Sequence, residues 1–289
     1  MSDLAAARAR YVELIARRER ISSTRLLEAL AIVPRENFLA KGPWRIKSEA
    51  ARNYRLTPDA DPVHLQDNVL VAIDARRKLD TGLPSLWAHF IDLLDVGEKD
   101  RVVQIGCGLG YFSAVLSKIV GPKGRVRAIE CDERLASRAA NYLSAYRNVA
   151  VVHGDGCEDI GEPADVIIVH AGFSQPHPLW LRSLRPRGRL LVPLTQRDRE
   201  GAALKITRKG KGFEAEAVQQ VRIFPGQGRG VTALDDRVAE WWQRASALAP
   251  LRFRGIEQGL PSDGYCFVSF YLDCESKYPP RLDAAMTAA

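Results

Sequence analysis

The stretch Arg101-Val102-Val103-Gln104-Ile105-Gly106-Cys107-Gly108-Leu109-Gly110-Tyr111 decides the fold. Val102, Val103 and Ile105 read as a buried strand, and three glycines follow it at alternate positions. Tyr111 to Val120 then carries apolar Phe112, Val115, Leu116 and Ile119 at helical spacing. A strand that turns through glycines into a helix lets main chain approach a ligand closely and aims unpaired N–H groups at its polar end. The dinucleotide fingerprint Gly-x-Gly-x-x-Gly does not fit, because bulky Tyr111 fills the slot of its third glycine.

Outward from this turn, Arg125–Ile129 reads as a second strand, closed by Glu130-Cys131-Asp132. Glu130 falls where an open α/β sheet presents a carboxylate to two ribose hydroxyls. Asp132 reads as the N-cap of a helix over about 133–147. A third strand, Val149–His153, ends in Gly154-Asp155-Gly156. An acid in that loop accepts from an exocyclic adenine amine, or simply forms an Asp-Gly turn. A fourth strand, Asp165–Val169, ends at His170; a helix over Pro178–Leu184 and a fifth strand, Arg189–Pro193, follow. Strands alternating with helices predict a mostly parallel sheet with helices on both faces and ligands beyond the carboxyl ends of its strands. Gly106, Gly108, Gly110, Glu130, Asp155 and His170 all fall at those ends.

Gly-x-Gly-x-Gly is the usual form in class I methyltransferases that use S-adenosylmethionine, and the chain resembles protein-L-isoaspartate O-methyltransferases over roughly residues 20–225. Ala31-Ile32-Val33-Pro34-Arg35-Glu36-Asn37-Phe38 is similar to that family's Val-Pro-Arg-Glu-x-Phe signature. Gln104–Tyr111 matches its glycine motif, and Leu184–Pro193 its Leu-Lys-Pro-Gly-Gly-Arg-Leu segment. Ala203–Thr207 and Val218–Pro225 resemble its last strand pair. The resemblance implies a Rossmann-like, mostly parallel seven-stranded sheet, with an N-terminal helical segment and a C-terminal α+β extension. It implies that Gly106, Gly108 and Gly110 face the methionine part of S-adenosyl-L-methionine, Glu130 its ribose, and Asp155 with Gly156 its adenine. Cys107, Tyr111 and Cys131 lie beside them and complete the candidate cofactor set, and S-adenosyl-L-homocysteine is the expected product.

The implied reaction is methylation of a protein or peptide carboxylate of isoaspartyl or aspartyl type. A carboxylate oxygen is already a nucleophile, so the site needs alignment and exclusion of water more than a base. Three departures bear on the acceptor. The family's Thr-Ile-Ser-x-Pro segment aligns with Asp80-Thr81-Gly82-Leu83-Pro84, which puts Gly82 in the serine slot. Thr81 and Ser85 flank it as candidate hydroxyls, although Ser85 also reads as the cap of a helix over about 86–94. Gln104 stands where the family usually has an acid, and His170 where it typically has Thr. At the tip of the fourth strand, an imidazole either orients a carboxylate, takes a proton from a hydroxyl substrate, or serves the fold alone. Methylation of a small natural product or of RNA is the alternative activity. A catalytically inactive cofactor-binding module is the alternative class.

The 289 residues suffice for one large α/β domain with additions, and 46% hydrophobic with 27% charged residues is an ordinary globular composition. Charged residues follow Met1 and no apolar run approaches a membrane span, so the expected location is the cytoplasm, without membrane contact. The five cysteines form no Cys-x-x-Cys pair, and no metal is expected. The net charge of +7 attracts anions, and the sequence favours an acidic peptide, a protein or a small carboxylate over nucleic acid. Residues 4–19 and about 23–31 read as helices, with capping oxygens at Ser22, Ser23 and Thr24. The segment 41–82 shows one short strand, Val69–Ile73, and reads as a substrate cover. We therefore divide the chain into 1–82, the cofactor-binding domain 83–225, and an extension 226–289. In the extension, 234–248 reads as a helix and Tyr265–Leu272 as a strand; packing on the core is the expected use, an added strand in the sheet or a homodimer contact the alternatives.

Overall fold

The structure is a computed structural model, and it describes residues 2–77, 79–173, 175–195, 200–226, 252–259 and 267–272. Helices α1 (Ser2–Glu19) and α2 (Thr24–Ile32) open the chain. Ser23 caps α2 by accepting from the Leu26 N–H at 3.2 Å, as the Ser-Ser-Thr run predicts. Segment 41–82 is more ordered than its sequence suggests. It forms its own antiparallel sheet from β1 (Arg45–Ser48), β2 (Arg55–Leu56), β3 (Val69–Asp74) and β4 (Leu79–Asp80), in the order β2-β1-β3-β4. Trp44, Ile46, Leu65, Val69 and Val71 give this small sheet a core of its own.

Arg35 ties the small sheet to the helices. Its guanidinium is buried and donates to the carbonyls of Leu65, Asp67 and Val69 and to the Thr81 hydroxyl. Glu36 beside it pairs with Arg8 of α1 and accepts from Gln66 Nε2. The Pro-Arg-Glu signature is therefore a structural clamp. A planar fork with five donors can satisfy several diverging carbonyls at once, which a lysine cannot do.

Helix α3 (Pro84–Leu93) leads into alternating strands and helices: β5 (Arg101–Ile105), α4 (Tyr111–Val120), β6 (Arg125–Glu130), α5 (Glu133–Tyr142), β7 (Val149–His153), β8 (Ala164–Val169), α6 (Pro178–Arg182) and β9 (Leu184–Thr195). The hairpin of β10 (Glu200–Lys209) and β11 (Gly212–Arg222) follows, then β12 (Arg252–Gly259) and β13 (Phe267–Leu272). The main sheet runs β13-β12-β11-β10-β9-β8-β5-β6-β7. The five strands from β9 to β7 are parallel, and the rest join antiparallel. Seven of these strands are those expected of the sheet; from the extension β13, which falls within the strand read at Tyr265–Leu272, and β12, which was not read, lengthen it. The helix expected over 234–248 lies outside the described residues.

Alternation along the buried strands builds two cores. Val102, Val126, Val166, Ile168 and Leu191 face the cluster that takes in α1 to α4, while Val103, Ile167, Val169, Leu190 and Val192 face the one holding Trp180 and Leu181 of α6. A strand buried on both faces must be apolar at nearly every position, which is why β5 and β8 read clearly in the sequence. Two helices are shorter than their patterns predict. Leu143 caps α5, its N–H returning to Ala139 O, and Ser183 ends α6. The fifth strand is longer than expected: β9 begins at Leu184, read as the end of the preceding helix, and runs on to Thr195, two residues past Pro193.

Candidate active site

The β5–α4 turn sets the geometry. Gly106, Gly108 and Gly110 have φ of +76°, +58° and +89°, the left-handed region that side chains disfavour. Their N–H groups have partners inside the protein. Those of Gly106 and Cys107 donate to Ile129 O, that of Gly108 to Glu130 Oε2 at 2.8 Å, and that of Gly110 to Cys107 O. The glycines thus keep main chain low and tie it to the end of β6, rather than aiming free donors at a ligand. A Cβ on Gly108 would meet nothing within 4 Å, so that position faces open space. A Cβ on Gly110 would stand 2.6 Å from Leu143 Cδ1, so there the glycine serves helix packing.

Two adjoining cavities lie beyond the strand ends. The smaller, of about 150 Å³, is lined by Gly106, Gly108, Glu130, Cys131, Asp155 and Gly156, with Ile105, Ile129 and Leu135 as apolar wall. The larger, of about 900 Å³, runs between the main sheet and the small sheet, past Cys107, Tyr111, Trp87 and the 79–82 segment. Gly106, Gly108, Asp80 and His170 line both. Of the nine cofactor candidates, six therefore line the small crevice; Cys107 and Tyr111 face the larger cavity, and Gly110 lines neither. Tyr111 packs edge-on to Phe38, with its hydroxyl 3.5 Å from that of Tyr11.

The crevice has the chemistry an adenosyl ligand asks for. Glu130 is buried, accepts from the Gly108 N–H and, at Oε1, from the Asp132 N–H at 3.1 Å, and retains acceptor capacity for hydroxyl donors. Asp155 orients its own loop by accepting from the Cys157 N–H at 2.9 Å. Gly156 gives its carbonyl to Trp180 Nε1, and a Cβ there would be 2.7 Å from Ile105 Cγ2. Asp132 caps α5 through the Leu135 N–H, as expected, and pairs with Arg77 of the β3–β4 connection. The β3–β4 connection thereby reaches across the crevice mouth. Burial pushes the Cys131 thiol up to about 11 and Cys157 up to about 12, so both are protonated near neutrality and unsuited to nucleophilic work. Among the described residues no group of His, Cys, Asp and Glu is placed to hold a metal ion.

The acceptor side departs from the sequence reading. Thr81 Oγ1 accepts from Arg35 Nη2 and from the Val71 N–H at 3.1 Å, so its lone pairs are taken up in holding β3 and β4 together. Ser85 does not cap α3. The helix starts two residues earlier than expected, at Pro84, and Asn68 provides the cap: its Oδ1 accepts from the Ser85 N–H at 3.0 Å while its Nδ2 donates to Ser85 Oγ at 3.1 Å. Gly82 has φ +72°, and a Cβ there would be 2.7 Å from Trp87 Cδ1, with Nε1 nearer still. Gln104, fully buried, accepts from the Ser113 hydroxyl at 2.6 Å. His170, at the tip of β8, stacks on the Trp87 indole with centroids 3.7 Å apart and planes 10° from parallel. Its Nε2 is closed to solvent and has no hydrogen-bond partner. Burial lowers the imidazole from 6.5 to about 3, so the ring is neutral at physiological pH.

The strand order and glycine turn are those of the Rossmann-like class I methyltransferases. The family model "Protein-L-isoaspartate(D-aspartate) O-methyltransferase" matches residues 9–229. A protein-L-isoaspartate O-methyltransferase of Roseiflexus castenholzii is 33% identical over 219 residues, 74% of this chain and 88% of that one. Another, of Roseiflexus sp., is 31% identical over 228 residues, 77% of this chain and 93% of that one. Among solved structures, a protein-L-isoaspartate O-methyltransferase superposes with a TM-score of 0.65 at 24% identity, over 76% of this chain and 66% of that one. A putative protein-L-isoaspartate O-methyltransferase of Plasmodium falciparum, in complex with S-adenosyl-L-homocysteine, does so with 0.60 at 16% identity, over 76% and 98%. The chain belongs to the protein-L-isoaspartate O-methyltransferase family, whose cofactor is S-adenosyl-L-methionine.

Proposed function

We propose that the chain methylates a side-chain carboxylate of a protein or peptide, with the crevice of Gly106, Gly108, Glu130, Cys131, Asp155 and Gly156 holding S-adenosyl-L-methionine. The observation that carries this reading is the junction of the two cavities at Gly106, Gly108 and His170. It leaves one short path between a bound adenosyl donor and the space under the small sheet. S-adenosyl-L-methionine bound there supplies an electrophilic methyl group. Glu130 takes the ribose hydroxyls as charge-assisted hydrogen bonds, and Asp155 the adenine amine. The larger cavity receives the acceptor carboxylate, and the neutral His170 donates a hydrogen bond to it without removing a proton.

That division of labour fits the reaction. With its carboxylate already ionised, the acceptor needs only alignment and a dry surrounding. Phe112, Trp87 and Leu109 wall this part of the cavity and keep polarity low. Thr81 and Ser85, engaged within the protein, shape the cavity instead of touching the reacting atoms. We read 1–82 as the substrate cover, 83–225 as the transfer domain, and 226–289 as an extension available for dimer contact. The unpaired thiols of Cys107, Cys131 and Cys157 suit a reducing compartment, and we place the chain in the cytoplasm.

The test is incubation with an isoaspartyl peptide and methyl-labelled cofactor, followed by treatment with base. Label that enters the peptide and leaves as methanol in base is the expected result. Label that resists base would mean methylation at nitrogen or at an ether oxygen, and would overturn the carboxylate reading.

A further inference from the structure

Trp87 does two things at once. Its indole, 4% exposed, occupies the space a side chain at position 82 would need, where Gly82 already holds a left-handed φ. Its flat face also covers the His170 imidazole, while Phe112 closes the ring from another side at 5.5 Å between centroids. The Gly82 N–H is fixed by Asp80 Oδ1 at 2.9 Å, so the segment facing the cavity offers main chain and no side chain at this point. A buried imidazole nitrogen without a partner costs about 1–3 kcal/mol, so His170 is held in this place at the expense of stability. Positions that carry such a cost are where function is to be sought.

We propose that Trp87 is a positioning residue: by filling the volume beside Gly82 and stacking on His170, it makes the imidazole, rather than a side chain of the 79–82 segment, the contact that orients the acceptor carboxylate. This inference rests on the carboxylate reading above. The titratable and charged groups that line the two cavities with His170 are Arg18 and Glu19 of α1, Arg35, Lys47 of β1, Glu49, Arg52 and Tyr54 between β1 and β2, Arg77 and Asp80 of the β3–β4 region, Cys107 and Tyr111 of the β5–α4 region, Glu130, Cys131 and Asp132 at the end of β6, Asp155, and Arg222 of β11. The lowering of the imidazole comes from burial, to which the Trp87 face contributes directly. Removing that face admits water to the ring. The imidazole then gains a positive charge at mildly acidic pH and turns off its fixed axis.

The experiment compares the full-length protein with Trp87→Phe and Trp87→Leu. His170 is titrated by NMR, and kcat and KM for an isoaspartyl peptide are followed from pH 5.5 to 8. S-adenosyl-L-homocysteine binding is measured alongside by calorimetry. In the wild type and Trp87→Phe, which keeps a stacking ring, the imidazole should not titrate above about pH 5, well below its ordinary value of about 6.5. In Trp87→Leu it should titrate near that ordinary value, KM should rise about tenfold with a smaller change in kcat, and homocysteine-product affinity should stay within about twofold. A general loss of packing would lower melting temperature in both variants without adding a His170 titration. Trp87→Leu with an imidazole that titrates as in the wild type overturns the inference, as does an equal KM in the Phe and Leu variants. The NMR titration needs no methyl transfer. Failure of the wild type to methylate any peptide therefore defeats the proposed function, whereas an unchanged titration defeats this inference.

Discussion

At the scale of single residues, the acid at the end of β6 carries the clearest chemical assignment. The place of Glu130 was legible from position alone: a carboxylate just past a strand that neighbours a glycine turn was expected at the crevice, and it lines the crevice wall. The structure adds that it also anchors the turn, through the Gly108 N–H at 2.8 Å. Glu130→Gln replaces a charged acceptor with a neutral amide and weakens every bond made to it. Hydrogen bonds to charged groups are worth about 1.5–3 kcal/mol, so S-adenosyl-L-homocysteine affinity should fall roughly 10- to 150-fold. Calorimetry reads this directly, and an unchanged affinity would remove Glu130 from the cofactor contacts. The acceptor side was far less legible. Thr81 and Ser85 are hydroxyls at plausible places, yet their partners, Arg35 and Asn68, come from distant turns that no local pattern connects to them. The Trp87–His170 stack joins α3 to β8 across 83 residues of chain and leaves no trace in spacing.

At the scale of elements, legibility followed burial. The strands β5 and β8 lie inside the sheet, are buried at nearly every position and so carry apolar runs, Val102-Val103 with Ile105 and Val166–Val169, while β6, with Arg125 and Arg127 on it, and the edge strand β7 kept enough apolar character to be read. The small sheet was missed because β2 and β4 have two residues each and β1 reads Arg-Ile-Lys-Ser, too short for alternation to show. Asn68 was hidden for a related reason: its work is to cap a helix that begins 16 residues later, and no local pattern marks it for that. The cap joins the small sheet to α3, which carries Trp87, and both of its hydrogen bonds are buried. Asn68→Ala strips Ser85 of an acceptor for its N–H and a donor to its hydroxyl. Loss of a cap costs about 1 kcal/mol and an orphaned buried group about 1–3 kcal/mol, so we expect about 2 kcal/mol of destabilisation. Chemical denaturation measures it. Asn68→Asp, which keeps the N–H acceptor, should recover part of the loss; equal losses would show that the N–H bond contributes little.

At the scale of the whole molecule, the sheet separates chemistry from extension. All strand ends that line the crevice precede residue 170, and the closing wall of Phe224, Pro225 and Gly226 is held by main-chain bonds to Gly172, at 2.7 Å from its N–H to Phe224 O and 2.8 Å from the Gly226 N–H to its carbonyl. Among the described residues, strand β12 pairs with β11 over Glu214–Glu216, and β13 pairs with β12. The family match likewise ends at residue 229. Distant groups that share no partner contribute independently. A chain ending at residue 229 should therefore bind S-adenosyl-L-homocysteine within about twofold of the full-length protein. It should not behave as well in solution, however, because removing β12 uncovers the backbone N–H and C=O groups of β11 around Glu214–Glu216 and lengthens the open edge of this strand. Light scattering should show concentration-dependent association of the shortened chain, reduced by a lysine placed on the outward face of β11. Loss of ligand binding in a folded, monodisperse shortened chain would instead make the extension part of the crevice, and the boundary after 225 would have to move.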